Sequence, residues 1–350
     1  MDSRERELGK AALIFVDELL NLKQGERFLI YIDESSCHHT ASAIQECAHQ
    51  IGVRTDLFQL NSNLDLLERS RALMDRVEDG NFNVICELSG QYFYQTPAWQ
   101  RAVESGARIY SLCGMDADAF IRCVGTVNHD LMFQFGIALR ELLKDANSIQ
   151  IVTQGGSNIK VPMYNKIVTR LIAKLTRKQI SYSLVGHPSG KLSPKNRSTF
   201  VGGQLAFLGI PEAIEGTAVI DGYLWPPNEI GHIDNPIILK IKKGKVIEIN
   251  GCPRKSKILR QWLDKKTKEI QHFCIGYNPG AKLSGKLMEA ERVFGAVSIG
   301  IGTYPFHTDG IIKNPSILVN DKILVQDGLF IHKDLSILQK KLNTNTHGKA

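Results

Sequence analysis

The first 112 residues constrain the fold most, because short apolar runs alternate there with helix-like stretches. Residues 27–33 (Arg-Phe-Leu-Ile-Tyr-Ile-Asp) form a nearly continuous apolar run, the pattern of a strand covered on both faces. Further strand-like runs lie at 53–60, 82–88 and 107–112. Helical patterns separate them at 64–78 and 96–105, and an amphipathic helix at 8–22 precedes them. Ser35 and Ser36 can cap a helix that runs to Ile51 and stops at Gly52. Strands alternating with helices predict an open α/β layer domain.

A chain of 350 residues exceeds one ordinary core, so two domains are expected. The texture changes near residue 125: a helix at 129–144 and a hairpin about Gly155-Gly156 lead into many short apolar strands with Gly and Pro between them. The expected organisation is an α/β domain over 1–124, a mostly-β α+β metal-binding domain over 125–341 with one clear helix at 255–268, and a frayed polar tail over 342–350. No apolar run reaches membrane-helix length, and the start shows no signal-peptide pattern. The seven cysteines are scattered without a CxxC, which points away from a disulfide framework and towards the cytoplasm. Much of the net charge of +7 lies within 240–268. No aromatic residues interleave with those charges, so a solvated hairpin and helix face are expected there rather than a nucleic-acid surface.

The chemistry concentrates near the end. In Tyr-Pro-Phe-His307-Thr308-Asp309-Gly the imidazole and carboxylate stand at i and i+2, on one side of an extended segment. They either bind a metal, or Asp309 simply caps a turn. His272, in Ile-Gln-His-Phe-Cys-Ile-Gly, is a second imidazole, read as a ligand or as a satisfied core histidine. Two histidines and one carboxylate leave positions open on a metal, the ligand set of non-haem iron oxygenases. Glu291 is a candidate proton carrier or ligand, with an ion pair to Arg292 as the plainer alternative. Tyr304 and His187 are further candidates for proton transfer. His232 in a second HxD, and Cys37-His38-His39, read more simply as a surface loop and a helix start. GxGxxG, GxSxG, HExxH and P-loop patterns are absent, which weighs against dinucleotide, serine-hydrolase, zincin and NTPase chemistry.

From Leu20 to about His332 the chain resembles the thermophilic metallo-aminopeptidases of the aminopeptidase T/S type. The resemblance is carried by residues 22–33, by Gly202-Gly-Gln-Leu-Ala-Phe with Pro211-Glu-Ala-Ile-Glu-Gly-Thr, and by Ile275-Gly-Tyr-Asn-Pro-Gly-Ala. It continues through Glu291-Arg-Val-Phe-Gly-Ala-Val-Ser-Ile-Gly-Ile-Gly to His307-Thr-Asp309 and Asp327-Gly-Leu-Phe. It implies an N-terminal α/β domain, a C-terminal metal-binding domain and an oligomer. Those peptidases hold two metals with two glutamates, two histidines and an aspartate. Here Gln204 stands at the first glutamate, His272 at the second and Ser298 at the first histidine, so only His307 and Asp309 survive. The departures are similar to an iron-dependent branch of the family, the 2,5-dihydroxypyridine 5,6-dioxygenases, whose His, His, Asp triad would fall on His272, His307 and Asp309. The resemblance therefore implies one Fe(II), with Zn, Co or Mn as alternatives. It also implies a small-molecule substrate and O2, with Gln204 and Ser298 left to meet the substrate. No nucleic-acid or membrane partner is expected. Two readings remain open beside it: a rebuilt aminopeptidase, and a metal-free binding protein.

Overall fold

The computed structural model describes residues 2–61, 63–90, 93, 96–163, 185–193, 196–303 and 307–347. The fold mixes helices with several sheets in two compact units. One unit comprises Met1–His129 with Ser189–Gly202, and the other Asp130–Pro188 with Gly203–Gly348. The sequence places a single break near residue 125; in the structure the chain also returns to the first unit over Ser189–Gly202.

The first unit opens with a helix (α1, Ser3–Ile14) that continues as a π-helical turn through Leu19. Strand β1 (Arg27–Ile32), helix α2 (His38–Gln50), strand β2 (Arg54–Gln59), helix α3 (Leu66–Gly80), strand β3 (Val84–Glu87), helix α4 (Pro97–Glu104) and strand β4 (Arg108–Ser111) follow. Asp65 and Glu68 cap α3 reciprocally, each backbone N–H bonding the other's carboxylate at 2.9 Å. The expected capping of α2 by Ser35 and Ser36 is corrected: its N-cap is Cys37. Both serine hydroxyls instead donate to Asp33, at 2.7 and 3.0 Å. Leu29, Tyr31, Ile85 and Ile109 from the strands pack against Leu73 and Val77 of α3 and Ala98, Trp99 and Ala102 of α4.

Glu87 ends β3 as a fully buried carboxyl group, accepting from Phe93 N at 2.6 Å and from the Ser111 hydroxyl. Burial raises its pKa from 4.5 to about 7, against the opposing pull of these hydrogen bonds. Between those two pH values the folded chain holds a proton that the unfolded chain has lost. Stability therefore falls as pH rises through this window, by roughly 2–4 kcal/mol. Urea unfolding of Glu87→Gln across the same range should lack that component; a wild-type-like pH slope in the variant would contradict it.

Helix α6 (His129–Leu143; α5 is Ala117–Phe120) begins the part of the chain that forms the second unit. Strands β5 (Ser148–Val152) and β6 (Asn158–Pro162) follow as a hairpin. Strand β7 (Ser198–Phe200) belongs to the first unit and pairs parallel with β4, giving the order β2-β1-β3-β4-β7, parallel throughout. The chain then adds β8 (Gln204–Phe207), β9 (Glu215–Ile220), β10 (Tyr223–Trp225), β11 (Gly231–His232), β12 (Ile237–Lys242) and β13 (Lys245–Gly251). After a helix at Pro253–Leu263 come β14 (Ile270–Gly276), a short helix at Leu287–Ala290, β15 (Val297–Ile301) and β16 (Thr308–Ile312). Strands β17 (Ser316–Val319), β18 (Lys322–Gln326) and β19 (Leu329–Phe330) precede the last helix, Lys333–His347. Among the described residues this unit holds an eight-stranded sheet, β13-β12-β9-β6-β5-β17-β18-β19, and a six-stranded sheet, β11-β10-β16-β15-β14-β8.

The tail expected to fray from residue 342 is helical through His347, because Leu342 is buried and anchors its last turns. Within residues 240–268 several lysines are paired: Lys240 with Glu248 at 3.4 Å, Lys245 with Glu269 at 2.9 Å and Lys268 with Asp264 at 2.7 Å. Among the described residues no helix is long and apolar enough to cross a membrane.

Candidate metal centre

The six-stranded sheet gathers the polar residues of interest by register. Residues directly opposite in an antiparallel ladder share a face, and so do residues two apart on one strand. Gly276 pairs with Gln204, and Cys274 with Ser298. His272 pairs with Gly300, Gly300 with Asp309, and Asp309 with Trp225. One face of five neighbouring strands thus carries Gln204, Cys274, His272, Ser298, Asp309 and Trp225.

His307 lies immediately before β16, two residues from Asp309, and its side chain falls on the same side. Its Nε2 is 3.0 Å from Asp309 Oδ2, and His272 Nε2 is 3.2 Å from Asp309 Oδ1. The two imidazoles stand edge to face, with ring centres 4.7 Å apart and planes at 89°. One donor atom from each of the three residues lies within 4.8 Å of the others. The Asp309 side chain is 4% exposed, whereas His272 and His307 are 21% and 33% exposed, so the cluster opens on the histidine side.

The electrostatics suit a cation. Burial opposes the charge on Asp309, yet the two imidazoles outweigh it and hold the carboxyl below its ordinary range. Burial likewise opposes a charged His272, but Cys274 and Asp309 more than offset it and raise its pKa. Asp309 Oδ1 is buried and has no partner in hydrogen-bond geometry despite the 3.2 Å approach of His272. Two imidazoles, one carboxylate and an unsatisfied carboxylate oxygen fit a divalent transition metal with open positions. Both oxygen-using and hydrolytic centres draw on such a donor set.

A hydrogen bond behind the cluster fixes the start of β16. Trp262 Nε1 donates to Thr308 Oγ1 at 2.9 Å, and Thr308 is fully buried between His307 and Asp309 in sequence. Trp262→Phe keeps an aromatic side chain but removes the N–H donor with the pyrrole part of the indole, leaving the buried Thr308 hydroxyl without its donor at about 1–3 kcal/mol. The expected outcome is a lower unfolding midpoint with metal binding weakened by less than it is in the ligand variants. Denaturant titration with and without metal measures both.

Glu291 follows the short helix Leu287–Ala290. Burial and the charge of Asp309 raise its pKa, while Arg292 and the two histidines oppose the rise, so this carboxyl group feels the cluster directly. Its Oε2 is 3.1 Å from Nη1 of Arg292, which is fully buried. Gln204 Nε2 approaches Cys274 Sγ at 3.8 Å, while Gln204 Oε1 and Ser298 Oγ are buried without partners. His187 lies apart from the triad's strands. Its neighbours Val185 and Gly186 pair alongside β8, which is itself three strands from β16, and its exposed ring stands 5.6 Å from that of Phe133. His232 is exposed, its Nε2 2.9 Å from Leu283 O. Tyr304 lies outside the described residues. Sequence reasoning passed over Cys274, Trp225 and Gly300 as site residues, whereas the ion pair of Glu291 with Arg292 is the plainer of its two readings and is present. Only Cys274, two residues from His272, carried a readable spacing signal.

The fold and the site define an α/β unit joined to a β-rich unit bearing a two-histidine, one-carboxylate cluster. Among solved structures the chain is similar to 2,5-dihydroxypyridine dioxygenase from Pseudomonas putida KT2440, with a TM-score of 0.72 and 16% identity over 96% of this chain and 100% of that one. It is also similar to aminopeptidase T from Thermus thermophilus, with a TM-score of 0.64 and 11% identity over 93% and 99% of the two chains. At these identities the likeness is one of fold; both neighbours are enzymes. No family model matches the chain, and no curated protein matches it.

Proposed function

We propose that the chain is a mononuclear Fe(II)-dependent dioxygenase that cleaves the ring of a hydroxylated N-heterocyclic or aromatic small molecule. His272, His307 and Asp309 would hold the metal. The observation that carries this reading is the neutral character of Gln204 and Ser298, on the same sheet face as the triad. A second divalent ion needs anionic or imidazole ligands, and an amide and a hydroxyl are poor substitutes. The likeness in fold to a dioxygenase over nearly the whole chain supports the same reading.

When bound, iron supplies the O2-dependent redox chemistry. The chain's own groups do the rest. Asp309 stays ionised and lowers the net charge of the centre. Gln204 Oε1 and Ser298 Oγ have unused lone pairs that can accept hydrogen bonds from a ring hydroxyl or ring N–H. Glu291, with its raised pKa, is suited to hold a proton and pass it on near the triad. Tyr304 belongs to the proposal as a further proton-handling group; His187, beside β8 and apart from the triad's strands, does not. A cytoplasmic, self-associating protein is part of it too; the seven free cysteines agree with a reducing compartment.

A second reading, a metal-dependent aminopeptidase, draws on the fold likeness to aminopeptidase T and on the Glu291 carboxyl group beside the triad. Oxygen-electrode and absorbance assays separate the two. Iron-loaded protein should consume O2 in step with loss of the ring absorbance of a hydroxypyridine or dihydric phenol. Release of N-terminal residues from peptides by zinc- or cobalt-loaded protein, with no O2 uptake, would instead favour the hydrolase.

A further inference from the structure

Strand β15 carries no side chain at the point where the His272 ring lies. Gly300 is buried in that strand, opposite His272 on one side and Asp309 on the other. A Cβ placed on Gly300 would stand 2.5 Å from His272 Cε1, 2.7 Å from Nδ1 and 3.0 Å from Nε2. Its three nearest neighbours are all atoms of the one imidazole, and none is backbone. Gly300 is not among the glycines with positive φ, so the backbone conformation does not itself call for glycine. A glycine inside a strand weakens it, and one recognised reason for tolerating the cost is the close approach of another group.

We propose that Gly300 is a positioning residue: its missing side chain is the seat of the His272 imidazole and determines that an imidazole can serve as the ligand at that position. This rests on the metal reading of the triad. A methyl group at 300 leaves the ring two routes. It can swing about its side-chain torsions, or the strands can part. The swing is the easier for the fold, because the ring is 21% exposed on its open side. It is costly for the site, because ligand distances tolerate only about ±0.2 Å.

The test is a double-mutant cycle on the full chain, read by Co(II) titration in the visible region and by urea unfolding of the metal-free protein. Gly300→Ala alone should weaken Co(II) binding by about 10- to 100-fold, the range for residues that orient a ligand, and should alter the Co(II) absorption bands. In a His272→Ala background the same change should cost no further affinity. There it should leave unfolding unchanged or raise its midpoint, because no ring remains to be displaced. Unchanged Co(II) affinity and spectrum in Gly300→Ala would overturn the proposal. Equal destabilisation by Gly300→Ala in both backgrounds would overturn it as well, because the clash would then lie with the strand. Failure of the wild-type chain to bind Co(II) would remove the metal reading, while the unfolding cycle would still report whether residues 272 and 300 are coupled; the two failures are therefore distinguishable.

Discussion

Asp309→Asn should leave the fold intact and reduce affinity for Fe(II) or Co(II) by more than about 100-fold, beyond the loss expected from altering a residue that merely supports a ligand. The amide matches the carboxylate in shape, so β16 and its neighbours are not disturbed sterically. What changes is the charge between two imidazoles, 3.0 and 3.2 Å away. In the native chain the two imidazoles offset the burial of that charge, and one carboxylate oxygen is left without a hydrogen bond. An amide offers one weaker acceptor, and its NH2 group turns donors towards the metal position. Calorimetric or absorbance titration measures the affinity, and far-ultraviolet circular dichroism checks the fold. Undiminished binding in a folded variant would mean that the metal is held elsewhere.

Arg292→Met should be the most damaging single change outside the triad, at about 3–5 kcal/mol of stability. The arginine is fully buried, with its Nη1 3.1 Å from Glu291 Oε2 and also bonded to Met288 O. Methionine fills part of the volume but leaves Glu291 without its cation, close to the negative charge of Asp309. Relief comes by protonating Glu291 further, so its already raised pKa should climb. The variant's deficit should therefore shrink at acidic pH, where a neutral Glu291 no longer needs a partner. Urea unfolding across pH tests both parts. A deficit that does not vary with pH would show that the arginine acts through packing alone.

The elements that sequence reasoning recovered share a physical trait: each declares itself within a few residues. The apolar run at 27–33 and the amphipathic helices of the first unit follow from the local pattern of apolar residues. His307 and Asp309 were legible as a pair because two residues apart on extended chain means one side. His272 was not legible in that way. It reaches Asp309 only through the order β16-β15-β14, which no local pattern encodes; its residues left it open as a ligand or a core histidine, and the family resemblance favoured the ligand. Strand β7, with three residues far from its partner β4, was hidden for the same reason. Gly300 was invisible because a glycine in an apolar run reads as a gap in the pattern, and its meaning depends on the ring opposite. The reading of Cys37-His38-His39 as a helix start agrees with α2, but Ser35 and Ser36 do not cap it, because Asp33 takes their hydroxyls.

The proposed centre holds one divalent ion, and not a bridged pair, between two imidazoles and one carboxylate. Metal analysis by mass spectrometry on protein reconstituted with excess Fe(II) without air, then desalted, tests it most directly. The expected result is one iron per chain in the wild type and close to none in His307→Ala. Two ions per chain, or one ion retained in His307→Ala, would contradict it.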